Sequence, residues 1–181
     1  MVQANDIRDL RTAARDYAHT EDLKDHVRRL RRERTPFFLT ADDLERVFRW
    51  KLGTQYGRQK KLRDTNTESA YRAVTAAAFA IREPDAHYEA ELRLGILTSL
   101  RGVGLGVASA ILAVAEPDRY CVVDFRGWRA VFGEDRRSFD LEHYKKYLKA
   151  IRALAAQLGW PVQEVDLAVW EYDRLKSERA V

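Results

Sequence analysis

Residues 97–125, LTSLRGVGLGVASAILAVAEPDRYCVVDF, decide how this chain is read. The stretch opens on an apolar helix end at Leu97 and Leu100 and turns through Gly102, Val103 and Gly104. It continues as a helix of small residues, in which Ala108, Ile111 and Leu112 can lie close against the first. Glycines at 102 and 104 free the backbone to take positive φ and to approach a partner closely. The amides opening the second helix point outward at the positive end of its dipole, so an anion such as a phosphate can sit against Gly102, Val103, Gly104, Leu105 and Gly106. Beyond this helix the chain from Pro117 to Asp124 ends in VVD, and a new helical run, FRGWRAVFG, begins at Phe125.

Helical periodicity extends outward from that stretch. Ile7, Leu10, Ala14 and Tyr17 share one face, then Leu23, Val27 and Leu30, then Leu44, Val47, Phe48 and Leu52. Thr20, Thr40 and the pair Thr65 with Glu68 read as helix starts, Pro36 and Gly53 as breaks, and Pro84 as a first helical residue. Asp140 opens a helix with Tyr144, Leu148 and Ile151 inward, Gly159 stops it, and Pro161 starts the last, with Val165, Val169 and Tyr172 on one face. The expectation is an all-α chain of about nine or ten helices. Residues 1–181 should form one compact helical unit of two lobes sharing a cleft, with a helix-hairpin-helix at about 89–115.

Among 181 residues, 32 Lys and Arg against 28 Asp and Glu give a net charge of +4, a mild excess that permits a polyanionic partner without requiring one. The single cysteine, Cys121, excludes an internal disulfide and fits a reducing compartment. The N-terminus carries early acids and no apolar core, and the longest apolar run, Val107 to Ala115, is too short to span a bilayer. These features predict a monomeric intracellular protein, cytoplasmic and nucleoid-associated if it binds DNA, with no membrane partner. His19, His26, His87 and His143 are scattered without metal-ligand spacing, so no metal is expected.

Positive charge gathers in two places. Lys24, Arg28, Arg29, Arg31, Arg32 and Arg34 precede Pro36, Phe37 and Phe38, and a helix face of this kind is ordinarily solvated surface. Between Arg46 and Arg63 there is no acidic residue, while Trp50 and Tyr56 interleave with Arg58, Lys60, Lys61 and Arg63. Uncompensated charge with interleaved aromatics suits a phosphate-contacting surface.

The hairpin and the aspartate that follows it resemble the helix-hairpin-helix superfamily of DNA glycosylases, the endonuclease III-like or HhH-GPD proteins. The likeness is specific over about thirty residues and general elsewhere. It implies a two-lobed helical glycosylase-like fold, contact with the phosphates of double-stranded DNA, and base-excision repair. It also implies a monovalent cation held by hairpin carbonyls around Leu100 and Val103, and no other cofactor. The family's catalytic aspartate falls on Asp124, where a carboxylate would stabilise an oxocarbenium-like sugar while the N-glycosidic bond breaks. The strand-cleaving lysine of some members falls on Gly106, and the single cysteine cannot hold their four-cysteine iron-sulfur cluster. The resemblance therefore implies a monofunctional hydrolase, with water as nucleophile and an intact strand as product. A flipped base needs pocket walls, for which Trp50, Tyr56, Tyr120, Phe125, Trp128 and Phe38 are candidates.

Two other readings use the same residues. Asp124 is also a good helix N-cap, and the hairpin can serve as a non-catalytic DNA grip. GVGLG followed by YCVVD imitates the turn and ribose-binding acid of a dinucleotide fold, although Val107 stands where a third glycine is required and strands do not alternate with helices.

Overall fold

Helices account for 71% of the structure, a computed structural model that describes residues 1–179, and no strand occurs among the described residues. In chain order the α-helices are α1 (Ala4–Ile7), α2 (Tyr17–Glu33), α3 (Ala41–Leu52), α4 (Lys60–Arg63), α5 (Glu68–Ala80), α6 (Ala86–Leu97), α7 (Leu105–Ala115), α8 (Phe125–Phe132), α9 (Leu141–Leu158) and α10 (Val162–Arg179). Short 3-10 turns cover Arg8–Leu10 and Gly53–Gln59. A dinucleotide fold needs a parallel sheet. Here the strand-like YCVVD is extended but has no partner strand, and that reading is set aside.

The caps follow the sequence in part. Thr40 starts α3 as a reciprocal box with Asp43, Asp140 caps α9 through the amide of His143, and Gly159 ends α9 in the left-handed region at φ 67°. Thr20 does not start a helix. It lies inside α2, buried, where its hydroxyl donates to the Asp16 carbonyl at 2.7 Å and accepts from Trp50 Nε1 at 3.0 Å. Thr67 rather than Thr65 caps α5, because Glu68 turns away to accept from the Ala41 amide at 2.9 Å. Asp85, one residue past Pro84, caps α6 through the amides of His87 and Tyr88. The face read from Ile7 to Tyr17 is broken by the Arg8–Leu10 turn into two short pieces.

The helices gather in two groups. α2, α3, α5, α6 and α7 pack on one another, and α8 and α9 pack with α1 on α10. Burial drives the first group onto α7, in which every residue from Val107 to Val114 is buried. Withdrawing side chains such as Ile111 and Leu112 from water stabilises by about 1.5–3 kcal/mol each. A buried ionic cluster closes the far end: Glu89 receives Tyr120 Oη at 2.9 Å and pairs with Arg93 at 3.0 Å and Arg119 at 2.8 Å, while Arg93 also reaches Glu116 at 2.9 Å.

The stretch read as a helix-hairpin-helix consists of α6, the Thr98–Gly104 turn and α7. Only Gly102 takes positive φ, at 72°; Gly104 is extended at φ −87° and caps α7. Gly102 also makes the close approach, and its neighbour is the chain itself: a Cβ there would meet Arg63 Cγ at 2.8 Å and the Gln59 carbonyl at 3.0 Å.

The extended segment from Tyr120 to Asp124 joins the groups and is fixed on both sides. Val122 N donates to Asp166 at 2.8 Å, Val123 N to Ser109 Oγ at 3.2 Å, and Tyr144 Oη to the Cys121 carbonyl at 3.3 Å. Tyr147 Oη donates to the same Asp166 at 2.6 Å and lies so near α8 that a Cβ on Gly127 would fall 2.1 Å from it. Overpacking a core of this kind costs roughly 1–3 kcal/mol. We expect Gly127→Ala to lose stability by at least that amount in urea denaturation, and a loss under about 0.5 kcal/mol, the range of an ordinary surface change, would contradict this packing.

Candidate functional site

Asp124 stands where the extended segment meets α8. One carboxylate oxygen accepts from the Gly127 amide at 3.0 Å, so the residue is the N-cap, and the other faces Lys51 Nζ at 3.3 Å. The two side chains are 23% and 13% exposed, an ion pair sheltered from bulk water but open on one side. Capping and presenting a charge to the cleft are thus done by different oxygens of one carboxylate.

Lys51 reaches this position from the last turn of α3. A Cβ on Gly106 would lie 3.9 Å from Lys51 Cε and 3.4 Å from the Val123 carbonyl, so the Lys51 stem passes beside the start of α7. Lys51 was legible in the sequence only as one cation of a basic run.

The cleft holding this pair lies between the two helical groups. Its inner part is bordered by Trp50, Lys51, Asp124, Gln163, Asp166 and Trp170. Its wider mouth is bordered by Arg58, Gly106, Phe125, Arg126, Arg137 and Trp170. Trp50 is fixed by its bond to Thr20, and Arg126 lies 5.5 Å from the Trp170 ring centroid. Gln163, Asp166, Leu167 and Trp170 fall at i, i+3, i+4 and i+7 of α10, one helical stripe that runs along the cleft beside the apolar face of Val165 and Val169. That spacing was readable in the sequence. Attention to the apolar face alone missed it.

Several residues expected here lie elsewhere. Tyr120 is fully buried and bonded to Glu89, and Trp128 is 1% exposed among Phe132, Phe139 and His143; neither borders the cleft, because both are needed in the core. Tyr56 bonds to Glu45 and lies between Arg49 and Arg63, outside the cleft lining. Phe38 sits against Arg34 and Arg72 on a different face. Trp50 and Phe125 alone among those aromatics border the cleft.

The basic segment divides in the same way. Arg58 borders the cleft mouth, Lys61 is exposed, and Lys60 is paired with Asp64 at 2.7 Å. Arg63 is only 2% exposed: its guanidinium donates to the Tyr56 carbonyl and packs on Phe48, and its stem supports Gly102, so it braces the hairpin from inside and does not face a phosphate. Acids outside the run supply part of the missing compensation, Glu45 to Arg49 at 2.8 Å and Asp124 to Lys51. In the first cluster Lys24 is buried against Glu21, and Arg31 and Arg34 pair with Glu116 and Asp43.

At the hairpin α7 has no side-chain cap, and Leu105 and Gly106, its first two residues, are partly exposed. The Leu100 carbonyl implied for a cation accepts from Val103 N at 3.1 Å. No group of three or more His, Cys, Asp or Glu able to hold a metal occurs among the described residues, and no helix among them is long and apolar enough to cross a membrane.

Burial pushes the Asp166 carboxyl up to about 7, against the lowering by Tyr147 and Val122; the Asp124 charge adds to the rise and Lys51 opposes it. Burial disfavours the charged form of Asp43 too, yet bonds from Arg34, Thr40 and His26 prevail and hold it at about 2. The two act in opposite directions. A raised acid binds its proton more tightly when folded, so its contribution is complete below about pH 4, the ordinary carboxylate value, and is lost as pH rises through about 7. We expect thermal stability to fall over that window and the fall to flatten in Asp166→Asn; identical slopes would show that Asp166 does not titrate there. Asp43 acts below it, losing its contribution as pH falls toward about 2. Comparison with protein families, with curated proteins and with solved structures finds no match for this chain.

Proposed function

We propose that this protein is a DNA glycosylase that hydrolyses the N-glycosidic bond of a modified or damaged base, with Asp124 as its catalytic carboxylate. The carrying observation is that Asp124, held by the Gly127 amide, turns its second oxygen into a cleft between two helical groups, directly beside the hairpin helix. A fixed carboxylate in a sheltered cleft stabilises positive charge developing on a sugar at little reorganisation cost. The same carboxylate can orient the attacking water. DNA would approach along the cleft mouth, its phosphates met by the amides of Leu105 and Gly106, by Arg58 with the exposed Lys61 close by in sequence, and by Arg137. Trp50 and Trp170 would flank a base turned out of the stack.

One observation favours a second nucleophile. Lys51 lies beside both Asp124 and position 106, so its amine, rather than water, can attack the sugar C1′ as the base leaves with the glycosidic electron pair; the amine passes one proton to Asp124, and the C1′–O4′ bond then opens, O4′ taking that proton, to leave a protonated imine. Borohydride then traps a covalent adduct that maps to Lys51. With water as nucleophile no adduct forms, and the strand breaks only on later treatment with alkali.

The test is a set of duplexes each carrying one modified base, with abasic-site formation as the readout. Release from at least one is expected. DNA binding without release from any would leave the hairpin as a grip and overturn the proposal. Binding should weaken with salt and across all sequences alike in the Arg58→Glu, Lys61→Glu double variant, with the salt slope reduced by about one per lost phosphate contact. Binding indifferent to salt and to this reversal would remove the basic segment from the interface.

A further inference from the structure

One polar group in the cleft has nothing to bond. Gln163 is 1% exposed, borders the inner cavity, and its Oε1 is buried without a hydrogen-bond partner; no bond to its side-chain amide occurs among the described residues. The residue is not misplaced, since its backbone amide donates to the Pro117 carbonyl at 2.9 Å and fixes the start of α10. Leaving a buried amide oxygen unpaired is unfavourable, and such a group persists where a ligand supplies the missing donor. Around it stand Trp50 and Trp170, two flat walls, with Asp124 at the side where a sugar would lie.

We propose that Gln163 reads the base, and that the class read is one presenting a ring N–H beside a carbonyl at an edge where the parent base has a bare ring nitrogen, the lactam edge that oxidation or deamination creates. This rests on the glycosylase reading for its setting. Guanine N7, adenine N1 and cytosine N3 are ring acceptors in the parent bases; oxidation at the neighbouring carbon, or replacement of the exocyclic amine by oxygen, turns each into a donor. A buried acceptor such as Gln163 Oε1 meets a parent nitrogen lone pair to lone pair and meets the converted N–H as a hydrogen bond, while the Gln163 amide N–H groups are free for the adjacent carbonyl. An alkylated cationic base gains stacking on the indoles but offers no new N–H at that edge. Sites built around a required hydrogen bond discriminate strongly because the alternative leaves buried groups unpaired.

The experiment separates recognition from chemistry. Duplexes carry hypoxanthine, 8-oxoguanine, adenine, guanine or 7-methylguanine on a 2′-fluoroarabino sugar, whose fluorine disfavours the oxocarbenium-like state and keeps the base attached. Binding is read by fluorescence anisotropy, and base release is read in parallel on ordinary deoxyribose. Tighter binding to a lactam base than to its parent by about tenfold, the worth of one ordinary hydrogen bond, is expected for the wild type and should vanish in Gln163→Leu. That variant should unfold at the same or higher denaturant concentration, since it removes an unsatisfied polar group and keeps the volume. Equal binding of lactam and parent bases, preference for 7-methylguanine, or a preference that survives in Gln163→Leu would overturn the inference. Base release without lactam preference would overturn it and leave the glycosylase reading standing. Lactam preference without release from any duplex would support the reader and overturn the chemistry.

Discussion

The buried carboxyl of Asp166 is the point on which the arrangement of the cleft depends. It receives the Val122 amide from the extended segment and the Tyr147 hydroxyl from α9, and so ties two parts of the chain to α10. Tyr147 in turn sets the distance to α8, where only glycine fits at position 127, and the Gly127 amide holds Asp124. Position passes along this chain of contacts to the charge in the cleft. Removing one member of a buried hydrogen-bonded set leaves its partners unsatisfied at a cost of about 1–3 kcal/mol each. Disruption at Asp166 should therefore displace Asp124 as well as destabilise the fold.

The two helical groups give the cleft its asymmetry. The wall built from α3 and α7 brings Lys51, Trp50 and the uncapped start of α7; the wall built from α8 and α10 brings Asp124, Trp170 and Gln163. Burial on α7 and the ionic cluster of Glu89, Arg93, Glu116 and Arg119 hold the first wall together. The Lys51–Asp124 pair crosses between the walls. In a sheltered place such a pair is sensitive to what enters, because any positive charge brought against Asp124 competes with Lys51 for the same carboxylate oxygen.

Much of the helical pattern was legible because its signals are local. Thr40, Asp140 and Gly159 act through neighbours three or four residues away, and the hairpin is set by Gly102. Asp124 was legible as a cap because it stands directly before the helical run that opens at Phe125. What escaped depends on contacts distant in sequence. Arg63 reads as a surface cation, but Gly102, 39 positions on, covers it. Tyr120 and Trp128 read as pocket walls, but Glu89 and Phe139 claim them for the core. Lys51 and Asp124 are 73 positions apart, and no spacing rule joins them. The α10 stripe is the exception, a local signal hidden beside a stronger apolar one.

The account stands on the charge of Asp124, and Asp124→Asn isolates it. The amide keeps an oxygen for the Gly127 cap, so the variant should unfold within a few tenths of a kcal/mol of the wild type and should bind DNA equally well, as Asn and Asp cap about alike. Single-turnover base release from a duplex that the wild type processes should slow by about a hundredfold or more, the worth of a preorganised electrostatic contact. Release at the wild-type rate by a folded, DNA-binding Asp124→Asn protein would reduce Asp124 to a cap and contradict the account.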